Sequence, residues 1–321
     1  MTPAIPPDAR PLRVLSLGAG VQSTAVALMS AHGELPRFDA CIFADTGWEP
    51  ADVYAHFDRL KAHLEDRGIP TYVVSAGNIR DDHANPEGEH LFIRNPRLRP
   101  EFMGKQRSFI PFFTLGDGGQ GRTLGDDGEL PIEVSERQSS PPLRKGKTRR
   151  TCTKTYKIEP VEKKIRELFG LKPGARWPVG SVVVEQSFGI SWDEVQRMSS
   201  PSHDCISHAY PLVDRRMTRD DCHTWLAEHG WTAPRSACIG CPFHRNDEWR
   251  RMRDEAPDEW ADAIDFDHTV RQRQADGLMT LQSVPFLHDS RVPLDEADID
   301  DVKAEGTQLS FGIECKGFCG T

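Results

Sequence analysis

The sequence predicts an α/β fold: a parallel sheet with helices on both faces, followed by a small helical or irregular C-terminal region. Three observations carry this expectation. Short apolar runs alternate with helix-period stretches in the order strand–helix–strand–helix–strand across residues 12–75. Small, turn-forming residues follow the first two runs, where the loops of a strand–helix repeat belong. The 321 residues suffice for a substantial core, and no apolar run is long enough to cross a membrane.

Residues 12–18 (Leu-Arg-Val-Leu-Ser-Leu-Gly) read as a buried strand, and 21–30 have the apolar spacing of a helix. Residues 38–44 form the second strand, and Val53, Phe57, Leu60 and Leu64 share one face of the next helix. Residues 71–75 are the third strand. Residues 76–150 lack sustained periodicity and are rich in Gly, Pro and charge, so they read as an irregular insertion ending in a basic loop. Within it, Ser108-Phe109-Ile110-Pro111-Phe112-Phe113 is apolar enough to pack beside a site, as a satellite core or the wall of a lid. Pro160 opens a helix reaching about residue 170, with Val161, Ile165 and Leu168 inward. Residues 181–189 are a strand. Thr218 with Asp221 makes a capping box for a helix that places Cys222, Trp225 and Leu226 on one face and stops at Gly230. Helices near 247–255 and 257–274 carry Trp249, Met252, Trp260 and Ile264, read as packing against the sheet. The main domain is therefore expected over 12–245, with 246–321 a helical extension ending in a cysteine-containing tail.

The net charge of −9 disfavours bulk attraction to nucleic acid. Eight cysteines without regular spacing fit a reducing compartment, and the Pro-rich start has no signal-peptide core, so a cytoplasmic protein is expected. Cys152 lies among Arg149, Arg150, Lys154 and Lys157, cations that lower a thiol pKa. Cys238-Ile239-Gly240-Cys241 presents two thiols from one tight turn. Three converging thiolates hold either zinc or an iron–sulfur cluster, and His244 is available as a fourth zinc ligand. Residues 144–157 hold seven Lys/Arg and no acid, which points to a local site for a substrate phosphate or an RNA backbone. Cys41 and Cys222 sit in apolar patterns and read as core.

Between the first strand and helix lies Gly18-Ala19-Gly20-Val21-Gln22-Ser23-Thr24, a small-residue loop suited to close approach of backbone N–H groups to an anion. This loop resembles the pyrophosphate-binding loop of the PP-loop ATP pyrophosphatases. Asp45-Thr46-Gly47 is similar to a segment of the phosphoadenylylsulfate (PAPS) reductase branch, as are Gly189-Ile190-Ser191-Trp192-Asp193-Glu194 with Arg197, and Tyr210-Pro211-Leu212. The similarity runs over about residues 12–245. Gly18, Gln22 and Ser191 depart from the family's serine, aspartate and arginine. Thr151-Cys152 stands where adenylylsulfate reductases have a Cys-Cys pair.

The resemblance implies an adenine nucleotide alpha-hydrolase-like fold. It also implies ATP with Mg²⁺ on residues 18–24, 45–47, Gly189 and Ile190, with Asp45 in the catalytic set and Arg197 touching a substrate anion. PP-loop sulfurtransferases that hold a [4Fe–4S] cluster through three cysteines make Cys152, Cys238 and Cys241 the expected ligands. Glu314-Cys315 resembles the catalytic Glu-Cys of PAPS reductases, and Cys319 is a second tail thiol able to carry sulfur or resolve a disulfide. The preferred expectation is ATP-dependent sulfur transfer from a sulfur donor to an adenylated acceptor, RNA, DNA or small metabolite. The alternatives are a thiol-dependent reductase of adenylylsulfate or its 3′-phosphate, and a nucleotide- or RNA-binding module with a structural metal.

Overall fold

A computed structural model of the chain describes residues 10–87, 91, 104–116, 144–179 and 181–300. Its centre is a five-stranded parallel sheet in the order β3-β2-β1-β6-β7, formed by β1 (Leu12–Leu17), β2 (Ala40–Asp45), β3 (Thr71–Ser75), β6 (Val184–Phe188) and β7 (Ile206–Ala209). Period-2 alternation divides β1 and β2 between two cores. Leu15, Leu17, Cys41 and Phe43 face α1 (Val21–Ala31), α2 (Ala51–Asp66) and α6 (Arg219–Glu228). Val14, Ala40, Ile42 and Val184 face Val161 and Ile165 of α4 (Glu159–Leu168) on the opposite side. The sheet with helices on both faces is therefore present as the sequence implies. Among the described residues, no helix is long and apolar enough to cross a membrane.

The chain leaves β1 toward β2 and β3, then returns to the other side of β1 through β6 and β7. The order thus reverses between β1 and β6, and the loops beyond their carboxyl ends border the crevice where α/β sheets bind ligands. The short α3 (Asp81–Ala84) follows β3, and the short α5 (Pro211–Asp214) follows β7.

Three expectations need correction. Residues 76–150 are not irregular throughout. They supply β4 (Phe113–Gly116) and β5 (Arg144–Lys147), which join β8 (Val284–Phe286) in an antiparallel sheet of order β5-β4-β8. Strands of four residues, Phe-Thr-Leu-Gly and Arg-Lys-Gly-Lys, are too short to show a period.

Second, the aromatic residues of α7 (Asn246–Glu255) and α8 (Pro257–Ala275) do not pack on the parallel sheet. Trp249, Met252 and Phe266 form a separate core with Trp48, Phe109, Ile110, Phe112 and Tyr156. This second core sits on loops and on the segment read as a satellite, because the helices on both sheet faces already bury the strands.

Third, the helix does not open at Pro160. It begins at Cys152 and runs through a π-helical turn, Thr153–Ile158, into α4. The wider turn, with Glu159 N–H bonded to the Lys154 carbonyl, accommodates a proline that lacks its own donor.

His83 ties this second layer together. Its Nδ1 donates to the Ile79 carbonyl at 2.7 Å, and Nε2 accepts from the N–H of Phe109 at 3.0 Å and Ile110 at 3.4 Å. Both nitrogens are satisfied only by the neutral ring, and complete burial holds its pKa down at about 4. The unfolded chain takes up this proton near pH 6.5, the folded one only near 4. Between those values the unfolded state binds more protons, so stability falls as pH drops and levels off below 4. His83 alone then removes about 3 kcal/mol across that window. Urea unfolding from pH 7 to 4 should show the loss, and the His83 ring should stay neutral by NMR titration down to about pH 4.

Candidate functional site

The loop after β1 is a tight turn that leads directly into α1. Gly20 caps α1 without a side-chain hydrogen bond, and Ala19 adopts a left-handed φ of +55°. The Gly18 N–H donates to Ser23 Oγ at 3.2 Å, and Ser23 Oγ donates to the Gly20 carbonyl at 3.2 Å, which rounds the turn. Thr24 Oγ1 meets His56 Nε2 at 2.9 Å. Val21 points into the core, so it offers only its backbone to the crevice.

The loop after β6 closes on this turn. A Cβ on Gly189 would lie 2.5 Å from the Ser23 nitrogen, so only glycine lets β6 approach the start of α1. Ile190 beyond it is fully buried with Phe188 and Tyr210. Gln22 Nε2 donates to Glu194 Oε2 at 3.1 Å and to Ser191 Oγ at 3.5 Å. Burial raises the Glu194 pKa, and Arg197, buried and 2.6 Å away, opposes that rise. The two segments singled out in the sequence, 18–24 and 189–197, therefore meet. Arg197 is buried as the ion-pair partner of Glu194.

The β2–α2 loop connects this crevice to the cysteines. Asp45 Oδ1 accepts from the Gly47 N–H and from the Tyr54 hydroxyl, each at 2.8 Å, and so shapes the turn. Thr46 Oγ1 donates to Glu49 Oε1 at 3.0 Å and lies 3.3 Å from Cys238 Sγ. Cys152, Cys238 and Cys241 all line one cavity, with about 520 Å³ of empty space that includes solvent at its mouth. Cys152, Thr153, Tyr156 and Lys157 reach it from one face of the π-helical turn. Thr46, Ile110, Arg150 and Phe243 complete much of the wall. Cys152 is seated by its N–H on the Phe109 carbonyl at 2.9 Å, and Tyr156 by its hydroxyl on Asp82 Oδ2 at 2.6 Å. In the 238–241 turn, the Cys241 N–H bonds the Cys238 carbonyl at 3.0 Å.

The charges around Cys238 balance. Burial pushes its thiol well above the ordinary value and nearby Glu49 adds to the rise, while Lys157 opposes it. The thiol lies 3.6 Å from Glu49 Oε1, which Lys157 Nζ also approaches at 3.4 Å. The Lys157–Glu49 pair is closed from solvent on both sides. Glu49 Oε2 is buried without a hydrogen-bond partner. Sequence reasoning missed Glu49 in this role. It stands two residues beyond the Asp45-Thr46-Gly47 segment, but nothing in its spacing announces contact with a cysteine 189 positions away.

The remaining site expectations divide. Arg150 and Lys157 line the cavity, and Lys147 and Arg150 lie over the Phe243 ring at 5.4 and 5.0 Å. Arg149 is exposed, and Lys154 is 74% exposed, near Glu159 at 3.8 Å. Neither lines the cavity: Arg149 precedes the helix, in the stretch after β5, and the helical turn carries Lys154 to the outer face. His244 is not placed as a metal ligand. Its Nε2 is 2.9 Å from the Cys238 carbonyl and its Nδ1 3.3 Å from Glu248 Oε2, so the ring braces the cysteine turn from behind. Cys41 and Cys222 are buried core residues, as their spacing implies, and burial pushes both thiols up to about 12. Cys315 and Cys319 lie outside the described residues.

A chain search against protein-family models and curated proteins returns no match.

The fit of the cysteine turn rests on Gly240, whose Cβ would fall 2.0 Å from Cη2 of Trp48. Gly240→Ala should displace the turn and weaken retention of any metal held by its thiols at least tenfold, whereas the exposed Gly174→Ala, with open space around it, should leave retention unchanged. Metal content after dialysis against a graded chelator series measures both.

Proposed function

We propose that this chain is a PP-loop enzyme of the PAPS reductase type that performs ATP-dependent sulfur transfer with a [4Fe–4S] cluster on Cys152, Cys238 and Cys241. The observation that carries the reading is the shared cavity of those three cysteines, which adjoins the loop at the carboxyl end of β2. An adenine nucleotide alpha-hydrolase-like arrangement is supported by the reversal of strand order between β1 and β6. The donor set is soft and thiolate-rich, and His244 is engaged elsewhere, which favours a three-cysteine cluster over a Cys₃His zinc site. Such a cluster, when bound, supplies an iron without a protein ligand that can hold a sulfur species.

The chain's own residues would act as follows. Backbone N–H groups at the start of α1 would bind the phosphates of ATP, whose remaining charge a Mg²⁺ ion would neutralise. The turn shaped by Asp45 holds the adenosine. An acceptor oxygen forms a bond to the α-phosphorus as the α–β anhydride bond breaks and pyrophosphate departs. A sulfur nucleophile then forms a bond to the activated carbon and AMP leaves with the bonding electron pair. Arg150 and Lys157, on the cavity wall, attract an anionic substrate. The acceptor belongs to a class bearing an activatable carbon–oxygen bond, in a nucleic acid or a small metabolite.

A second reading is reduction of adenylylsulfate or its 3′-phosphate by the Cys315 thiol. It is favoured by Gln22, which takes the place of an acidic side chain in the loop and is tied to Ser191 and Glu194.

Two measurements test these readings. Cys152→Ala, Cys238→Ala and Cys241→Ala should each lose most bound iron and the visible absorption of the anaerobically purified protein. Cys41→Ala and Cys222→Ala should keep both, and unchanged iron in Cys152→Ala would refute the cluster. With ATP, Mg²⁺, sulfide and candidate acceptors, AMP and pyrophosphate should accumulate. Sulfite produced from adenylylsulfate with a thiol donor, while ATP stays intact, would establish the reductase instead.

A further inference from the structure

A second convergence of metal-ligating atoms lies away from the thiol cavity. One ligand atom each from His32, Glu34 and His229 lies within 4.8 Å of the others. The fold places them there through two neighbouring helix ends. His32 caps the C-terminus of α1, Glu34 follows two residues later, and His229 caps the C-terminus of α6, which packs beside α1. The last turn of α2 adds His63, whose ring lies 5.8 Å from that of His32. Helix C-termini carry partial negative charge from their terminal carbonyls, so this corner of the molecule favours a cation.

The ring geometry of His229 adds an independent argument. Its Nδ1 is 2.7 Å from the Trp225 carbonyl, which can only accept, so Nδ1 carries the proton. Nε2 then presents a lone pair, and it lies 3.9 Å from Glu34 Oε1. The ring is held in place by stacking on Trp225 at 3.8 Å between centroids. A backbone carbonyl bonded to the far nitrogen is how metal-binding histidines are commonly oriented. Burial, and secondarily Arg67, lower the His32 pKa, which keeps that ring in its ligating form. Arg215 approaches the other carboxylate oxygen of Glu34 at 3.8 Å, on the side away from His229 Nε2's partner Oε1.

We propose that His32, Glu34 and His229 form a surface zinc site, with two imidazole nitrogens, one carboxylate oxygen and water completing the coordination. Two histidines and a glutamate are a donor set that zinc accepts, and the exposure of all three leaves room for water. The site fastens the end of α1 to the end of α6. The 11 residues of α1, about 16 Å at 1.5 Å per residue, separate it from the loop at residues 18–20. It therefore braces the helix layer and takes no part in chemistry at the thiol cavity.

The test uses the full chain, anaerobically purified with its cysteine centre occupied, and zinc or cobalt(II) as the probe. The parent should bind one more equivalent of zinc than Glu34→Gln, His32→Ala or His229→Ala, or bind it at least tenfold more tightly. Zinc should raise the melting temperature of the parent and leave that of the variants unmoved. His223→Ala, an exposed α6 histidine outside the set, should behave as the parent. Cobalt(II) added at this site should give ligand-field bands without thiolate charge transfer. Equal zinc stoichiometry and affinity in parent and variants would overturn the proposal, as would cobalt(II) bands of the parent that persist unchanged in all three variants. Glu34→Gln changes little in shape, so a metal-free melting temperature equal to the parent's separates lost ligation from lost folding. None of these readouts depends on sulfur transfer, so the site stands or falls apart from the proposed activity.

Discussion

The packing of Trp48 against the cysteine turn is the contact on which the rest of the site depends. Its indole occupies the volume that a side chain at residue 240 would need, and its carbonyl accepts the Ile239 N–H at 2.9 Å. The indole nitrogen donates to Asp262 Oδ2 at 2.6 Å, and the ring packs on Phe266 at 4.6 Å. One residue on the β2–α2 loop therefore fixes the turn bearing Cys238 and Cys241 and docks it onto α8. Asp262 extends the junction by accepting from Arg80 Nε at 2.5 Å, which ties in the segment after β3. The parallel sheet sets where β2 ends, and Trp48 converts that position into the position of two thiols.

The electrostatics of the cavity follow a similar economy. A buried ion pair such as Lys157–Glu49 adds little net stability, since desolvation opposes the attraction. Its effect is positional, because Glu49 Oε1 is shared by Thr46, Lys157 and Cys238, residues from three separate stretches of chain. Removing either charge would strand the other in a closed environment, which is far more costly than losing the pair.

Much of the parallel sheet was legible in the sequence because strand and helix periods are strong where one side of each element is buried. β3 was read with its observed bounds, and α1, α2 and α6 to within a few residues. The three cysteines stood out in the sequence by their spacing and their basic surroundings, and the structure brings Cys152 to the same cavity as the Cys238–Cys241 turn. What could not be read were features created by long-range pairing. The strands β4 and β5 exist because β8, far along the chain, completes their sheet. Glu49 became a partner of Cys238 through the sheet's geometry, and the engagement of His244 with a carbonyl depends on how the turn sits. Lys154 and Lys157 looked equivalent by composition, yet three positions of helical rotation put one in solvent and the other beside Glu49.

The π-helical turn over Thr153–Ile158 has an evolutionary consequence. Such a turn is equivalent to one residue inserted into an α-helix. Deleting a residue there would restore the regular ladder and rotate Cys152 by roughly 100° relative to α4. The thiol would swing away from the wall that Tyr156 and Lys157 share, although every side chain around it was retained. Chain length at this turn, as much as residue identity, separates a helix that merely packs on the sheet from one that presents a thiol to the cavity. Relatives differing by a single gap there would keep the fold and part company in chemistry.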